Sequence, residues 1–570
     1  MTTEVDPVDS SEVAVQERIA RLEHDFGDLD DPGNPLGAQQ FLAADEGQRL
    51  LPAAERLLDA FGLNAEFVPV ALGGRLDRLD ALARVLRVVF RRDAALGLGY
   101  GLTSYLAAVG VWTAGTPSQR QATAGLLLAH GRMACAYPEP PQGNDFLRNR
   151  LTAVPDGAGY RLGGRKEALN NGARAGALVL FADTPDGLSA LLAPGPAHPD
   201  GAGIRLLPRR PTSGVRGCAV QGLAFDGPLP ATGRLLGPAG GGTRLAEHVF
   251  PLTRSAGLSM TLGCADTALR TTTAFARSRR RRSPASLHSS RTRTALVNAF
   301  ADLLVCDCLA LVATRATHVL PRESRTLGAV AKYLLPMVLT ETMDDLSIVL
   351  GSEAYATSGS YAIFQKTARD LPMLGLGSAG ASASRAVLVA QLPRLPAFGT
   401  AKAAADELAS LFRPFDAALP PCEVWENGLP ADRDSLLGSL EESAQHAGEP
   451  LAEAAGVLVE QLGVLREGCA ELAARPAGQP PGPRAFALAD RYALLVAGAA
   501  CLGVWRHRSS GGFLADPGWA ATALTRVAGR LDRTAVRMPE ASADHLLAEL
   551  LHRFDDARSY DLYATALGRS

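Results

Sequence analysis

Between Arg369 and Arg385 the chain reads RDLPMLGLGSAGASASR, and after Asp370 this stretch holds no acidic residue. A turn built from glycine and serine offers hydroxyls and backbone N–H groups. A serine hydroxyl such as that of Ser378 is a poor base without a partner to take its proton. Three other stretches carry side chains with a chemical use. ALNN, from Ala168 to Asn171, puts amides at the end of an alternating run. FPLTRSAG puts Arg254 inside an apolar helical pattern. RSRRRR, from Arg277 to Arg282, presents guanidinium forks that suit phosphate, and a charge run at a helix end is equally an ordinary solvated face.

The elements that must position these residues follow from hydrophobic spacing. Residues 1–45 read as a polar lead-in, partly disordered, without the basic start and apolar run of a secretory signal. From residue 46 to 132 apolar residues recur at three and four, which predicts a helical domain, with Thr116 or Ser118 as a cap near its end. Residues 133–242 become rich in Gly and Pro, and the short alternating runs ALVLFAD, LSALLAP, GIRLLP and VQGLAFDG predict a small antiparallel β domain. Residues 243–397 return to long helical patterns sufficient for a four-helix bundle. Residues 398–570 form a further helical extension, and no internal repeat is present. The fold class is α+β, and a ligand site is expected at the junction of the β domain with the helices.

Composition narrows the function classes. The 570 residues are 47% hydrophobic and 20% charged, with a formal net charge of −2. That balance implies no general attraction to nucleic acid or to an anionic membrane. The run from Tyr492 to Trp505 is too short to span a bilayer and reads as a buried helix. Eight scattered cysteines, including the C-x-C of Cys306 and Cys308, read as reduced, packed thiols of a cytoplasmic protein with no metal site. Basic charge is nearly all arginine, the only lysines being Lys166, Lys332, Lys366 and Lys402. With the heavy Ala and Gly usage this suggests a GC-rich bacterial source.

Several motifs in one order resemble the acyl-CoA dehydrogenase superfamily. Pro138 to Asp145 (PEPPQGND) is similar to the loop that opens that family's β domain, and Gly164 to Gly172 (GRKEALNNG) to its next strand and turn. Gly73 and Gly74 resemble an early loop, GVRGCAVQGLAFDGPLPATGRLLGPAGGG the end of the β domain, and VLGS (Val349 to Ser352) stands where the family has L-G-G. The resemblance covers about residues 46 to 395.

This resemblance implies FAD. It places Tyr137, Pro138, Asn144, Ala168, Leu169 and Asn170 against the flavin, with Asn170 where the family has a threonine facing N5 and Ala168 where it has a bulky aromatic. An amide still donates at N5, and the alanine opens space for substrate or O2. Arg279 and Arg281, with His288 and Ser290 in a less certain register, fall where the family contacts the dinucleotide of a neighbouring subunit. Gly351, Ser352, Gly380 and Ser382 complete the implied cofactor set. Asn144, Arg254, Ser378 and Ala379 are the implied substrate contacts, with Asn170, Arg254 and Ser378 as the catalytic candidates. An ion pair inside the bundle is the other role open to Arg254.

The resemblance also exposes an anomaly. The family's catalytic glutamate falls on Ser378, and the alternative position on the first bundle helix falls in FPLTRSAG, which has no acid. Loss of CO2 from a β-keto acid creates an enolate without a base. An atypical member would then dehydrogenate that enolate and use O2 to epoxidise the product, as epoxyketone synthase-like enzymes of natural-product pathways are believed to do. Other readings stay open. One is desaturation of a CoA- or carrier-bound thioester with a displaced base, Glu353 being one candidate. The others are a flavin monooxygenase without dehydrogenation and a non-catalytic paralogue. The extension resembles that of long-chain members, where it covers the tetramer-forming surface, so a homodimer is expected.

Overall fold

The structure is a computed structural model, and it describes residues 11–136, 148–157, 159–201, 204–228, 234–375, 380–398, 401–416, 418–476, 478–508, 511–532 and 536–569. The N-terminal part is helical: α1 (Glu12–Phe26), α2 (Ala38–Glu46), α3 (Pro52–Phe61), α4 (Leu79–Arg92), α5 (Ala94–Leu96), a π-helical turn (Gly97–Leu102), α6 (Thr103–Ala114) and α7 (Pro117–Leu128). Thr116 caps α7 through a reciprocal bond pair with Gln119. Within the expected polar lead-in, α1 and α2 are helical. Helix α1 buries Val15, Ile19, Leu22 and Phe26, and its Glu23 is buried against Arg91 and Arg92 of α4. Its acidic composition hid a face whose partners lie far along the chain.

A single mixed sheet follows. Its strands are β1 (Met133–Ala136), β2 (Thr152–Asp156), β3 (Gly159–Leu169), β4 (Ala177–Thr184), β5 (Gly187–Pro194), β6 (Ile204–Arg209), β7 (Gln221–Pro228) and β8 (Arg234–Leu235). The order is β6-β7-β3-β2-β4-β5-β8, with β1 beside β4. The four alternating runs are β4 to β7. Most pairs are antiparallel, but β1 and β2 both run parallel to β4, so the domain is antiparallel-rich rather than purely antiparallel. The pairing of β3 with β7 slips between Lys166 and Leu169, a bulge that re-aims the end of β3.

The bundle is built on α8 (Gly242–Ser278), α9 (Ser290–Val319) and α10 (Pro321–Leu350), followed by α11 (Ile363–Leu374) and α12 (Ala381–Gln391). The extension adds α13 (Leu395–Phe398), α14 (Ala405–Leu411), α15 (Val424–Asn427), α16 (Ser435–Gln445), α17 (Ala452–Ala473), α18 (Pro483–Arg506), α19 (Pro517–Leu531) and α20 (Glu540–Asp555). The Tyr492 to Trp505 run lies in α18, whose 24 residues are long and apolar enough to cross a membrane. So are Ala94–Ala114 and Ser290–Val319. Most of each stretch is packed inside the fold, so all three serve as core helices here.

Buried ion pairs lock the layers together. Arg87 of α4 meets Asp307 of α9 and Asp561 of the C-terminal segment, while Arg91 meets Glu23 and Asp266 of α8. Burial alone would depress both guanidiniums, but these carboxylates outweigh it and raise them. On the outer side, Arg526 and Arg530 of α19 grip Asp302 of α9 at 2.7–3.0 Å. All eight cysteines are free thiols.

Candidate active site

Two long bundle helices approach closely at one level. A Cβ on Gly328 of α10 would lie 3.2 Å from Ser255 Oγ and 3.5 Å from the Pro251 carbonyl of α8, so only a glycine lets the helices meet there without displacing a neighbour. Arg254 stands beside Ser255, and Lys332 stands one turn beyond Gly328. Both helices carry an interior proline at this level, Pro251 and Pro336. Pro336 has no N–H, so the Lys332 carbonyl four residues earlier loses its helical donor. Gly375, at the end of α11, closes against Pro336, where a Cβ would come within 2.9 Å. Gly375 therefore packs one turn along α10 from Lys332.

The charges at this level are unusual. Arg254 is 7% exposed, its guanidinium lies 4.8 Å from the Phe250 ring centre, and its Nε has no hydrogen-bond partner. Among the described residues no carboxylate pairs with Arg254, so the ion pair open to it inside the bundle is not found there. Every other buried arginine among the described residues has such a partner: Glu12 for Arg78 and Arg84, Glu23 for Arg91 and Arg92, Asp307 for Arg87, Asp59 for Arg132, Asp80 for Arg315 and Glu549 for Arg553. Burial, with Arg325 as a nearby like charge, pulls Arg254 down to about 10. Burial, with Arg254 adding to it, pulls Lys332 down to about 7. Sequence reading missed Lys332. The signal was available: in an arginine-rich chain with four lysines, Lys166, Lys332 and Lys366 are all buried.

The end of β3 forms the opposite wall. The bulge leaves Ala168 exposed, buries Leu169 and half-buries Asn170. The Asn170 amide donates to Thr103 Oγ1 at 2.7 Å and to the Leu98 carbonyl at 3.4 Å. Asn171, at φ +60°, donates to the Gly99 carbonyl at 2.5 Å. These bonds pin β3 to the π-helical turn. Leu102 of that turn faces Gly257, one turn along α8 from Arg254. The Asn170 amide is thus already engaged, and to face a flavin N5 it must release Thr103.

The Arg369–Asp370 pair is structural. Asp370 accepts from Lys366 Nζ at 2.6 Å and from the Val215 N–H at 2.6 Å, and Lys366 also reaches Asp93, the cap of α5, at 3.1 Å. This buried cluster ties α11 to the sheet and to the π-helical turn.

A second region lies at the far end of the bundle. A cavity of about 700 Å³ is lined by Phe275, Ser283, Ser290, Thr292, Gly351 and Ser352, among others. It brings Ser290, Gly351 and Ser352 together. Arg279, Arg281 and His288 are exposed nearby in sequence but do not line it. Arg254 and Ser278 are about 36 Å apart along α8, and Lys332 and Leu350 about 27 Å along α10. Glu353, just past Leu350, therefore cannot act beside Arg254. Gly380 is buried and Ser382 exposed at the start of α12. Tyr137, Pro138, Asn144, Ser378 and Ala379 lie outside the described residues.

The donor set of the far cavity, hydroxyls with guanidiniums close in sequence, fits the polar tail of a dinucleotide. The exposed Ala168 leaves space for a planar ring at the end of β3.

Known proteins agree with this arrangement. Residues 240–391 match the model of the acyl-CoA dehydrogenase C-terminal domain. Over that bundle region the chain is similar to the acyl-CoA dehydrogenases. It is 30% identical over 243 residues to the human mitochondrial short-chain specific acyl-CoA dehydrogenase, covering 41% of this chain and 57% of that one. It spans 57–59% of the length of the first mitochondrial relatives it matches. An acyl-CoA dehydrogenase of Bacillus anthracis solved with FAD superposes with a TM-score of 0.69 at 17% identity, covering 94% of this chain and 91% of that one. That coverage takes in most of the C-terminal extension. A prolyl acyl carrier protein oxidase superposes with a TM-score of 0.58 at 18% identity, covering 67% and 98%. Together they show its fold.

Proposed function

We propose that this chain is an FAD-dependent oxidoreductase whose substrate carbanion arises by loss of CO2 from a β-keto acid, rather than by removal of a proton. The observation that carries the reading is Arg254: a buried guanidinium with no carboxylate partner among the described residues, on the helix packed against α10, where a conventional member needs a negative base. Such a site attracts an anionic substrate and holds the negative charge that moves onto the ketone oxygen when the Cα–carboxyl bond breaks. Ser378, which follows Gly375 in sequence and stands at the family's glutamate position, would leave room at the α-carbon or donate a hydrogen bond to that oxygen. Asn170 and Ala168 border the ring site, and Ser290, Gly351 and Ser352 with Arg279 and Arg281 would hold the dinucleotide tail, supplied across a homodimer. When bound, FAD supplies an acceptor for the β-hydride and, once reduced, a partner for O2 in epoxidation. The superposition on a carrier protein oxidase supports a substrate that is carrier-tethered as well as one that is free.

The test is anaerobic mixing of the FAD-loaded protein with a β-keto acid and, separately, with a saturated acyl-CoA. Bleaching of the visible flavin band by the β-keto acid, with CO2 released, is expected. Bleaching by the acyl-CoA alone means desaturation with a base elsewhere and overturns the reading.

A further inference from the structure

We propose that the cavity between α13, α16 and α17 of the C-terminal extension is a binding site for a small aliphatic amine, its ammonium group held by Asp434 and its hydrocarbon chain by the leucines around it. The site is separate from the flavin chemistry, and no step of the proposed reaction uses it.

The cavity measures about 270 Å³. A cavity of about 150 Å³ holds benzene, so by proportion this one takes roughly ten non-hydrogen atoms. Its walls include Leu395 and Phe398 of α13, Leu437 of α16, and Leu462 and Leu465 of α17. The Cys469 thiol also lines it, and burial pushes that thiol up to about 12, so it is neutral. Among the described residues two charged side chains line the cavity, Asp434 and Arg466. Arg466 is already taken, forking onto Glu441 at 2.6 and 3.1 Å. Asp434 is left as the polar end.

Asp434 caps the start of α16. One of its oxygens accepts from the Leu437 N–H at 3.0 Å, and the other from the Tyr492 hydroxyl at 2.7 Å. Both donors are neutral. No arginine, lysine or histidine among the described residues pairs with this carboxylate, and each oxygen keeps a further acceptor position. The neighbouring charges are committed elsewhere. Arg433 turns to Glu323 at 3.1 Å, Arg394 donates to the Ala431 carbonyl at 2.8 Å, and Lys402 pairs with Glu442. Glu323 is a second acid close by, and the two carboxyls repel. Burial raises the Asp434 carboxyl above its usual range. A cation entering the cavity relieves that penalty, an anion adds to it, and a neutral head group leaves it in place. The leucines reward apolar area whatever the head group. A primary ammonium on a chain of about six to eight carbons fits both halves of the cavity.

The experiment titrates the FAD-loaded full chain at pH 7 with n-octylammonium, octan-1-ol and octanoate, which share a tail and differ in head-group charge. Calorimetry should show one saturable octylammonium site per chain, at least about tenfold tighter than for octan-1-ol, the margin of one charge-assisted bond. Octanoate should bind most weakly of the three. Asp434→Asn keeps a side-chain oxygen to cap α16, so the fold is expected to survive. It should bring octylammonium down to the affinity of octan-1-ol and leave octan-1-ol unchanged. Leu465→Trp, which fills the apolar end, should weaken both. No saturable binding, equal affinity for the three head groups, preference for octanoate, octylammonium binding unchanged in Asp434→Asn, or both ligands binding Leu465→Trp as tightly as wild type each overturn the proposal. The head-group comparison is made on the wild type and decides the matter whether or not a variant folds. Bleaching of the flavin by a β-keto acid is independent of all these outcomes, so the two readings fail separately.

Discussion

Arg254 costs the free protein stability, and that cost is its signature. A buried cation without a partner is destabilising, and replacement by an apolar side chain of similar volume is commonly neutral or favourable by about 1–4 kcal/mol. Arg254→Met is therefore expected to raise the denaturation midpoint while lowering kcat/KM for a β-keto acid on the order of 10- to 100-fold, the loss of one charge-assisted bond. Parallel losses of stability and activity would show Arg254 to be structural after all. Its position was legible in the sequence because FPLTRSAG fixes the register of a long apolar helix. Its isolation was not, because most of the carboxylates that serve the other buried arginines come from remote segments: Glu12 and Glu23 from α1, Asp307 from α9. Lys332 was missed for the related reason that a lysine in LGAVAKYLLPMVL reads as one polar residue in a core helix. Only the packing of α8 on α10 turns it toward Arg254. Asn170 was legible as an amide at the end of β3, but not its bonds to Thr103 and Leu98, which depend on the π-helical turn.

Elements were legible where one local pattern decides them. Strands β4 to β7 alternate and end in Gly or Pro, and the bundle helices repeat at three and four over long stretches. Helix α1 was not, since its stability comes from ion pairs across the fold rather than from its own sequence. The seam between α10 and α16 shows how such contacts respond to pH. Glu323, near the start of α10, accepts from the Ser435 N–H at 2.7 Å and from Ser435 Oγ at 2.6 Å. Burial, reinforced by Asp434, raises it from 4.5 to about 7. The folded chain therefore holds this proton at pH values where the unfolded chain has lost it. The contribution of Glu323 is fully present below about pH 4.5 and is lost as pH rises through about 7, with a span on the order of 3 kcal/mol. In chemical denaturation at pH 5.5 and 8, the wild type should lose more stability on the alkaline side than Glu323→Gln, which mimics the protonated form. Equal slopes in both proteins would show that Glu323 ionises normally.

At the scale of the whole molecule, the two ends of the bundle have different fates. The extension closes one outer face: α19 grips Asp302, α18 takes Arg385 and Tyr333 through Asp490, and the C-terminal segment plugs Asp561 between Arg87 and Arg91. A chain with that face covered has no reason to pair there. The far end is left open. Its cavity is rimmed by Ile348, 56% exposed, and Tyr355 close by is 83% exposed, with the guanidiniums of Arg279 and Arg281 in solvent. Large exposed apolar side chains beside a concave cavity are the kind of surface that mediates association, and we propose that a second copy completes this one. Light scattering should then give twice the 59.6 kDa of one chain. The double substitution Ile348→Asp and Tyr355→Asp should shift the protein toward the single-chain mass and, with the shared cavity opened, release FAD on gel filtration. Supplying excess FAD should not restore the dimer if the apolar rim drives pairing. A tetrameric mass would mean that the extension leaves the second face available, and a double variant that stays dimeric with its FAD retained would place the contact between copies elsewhere.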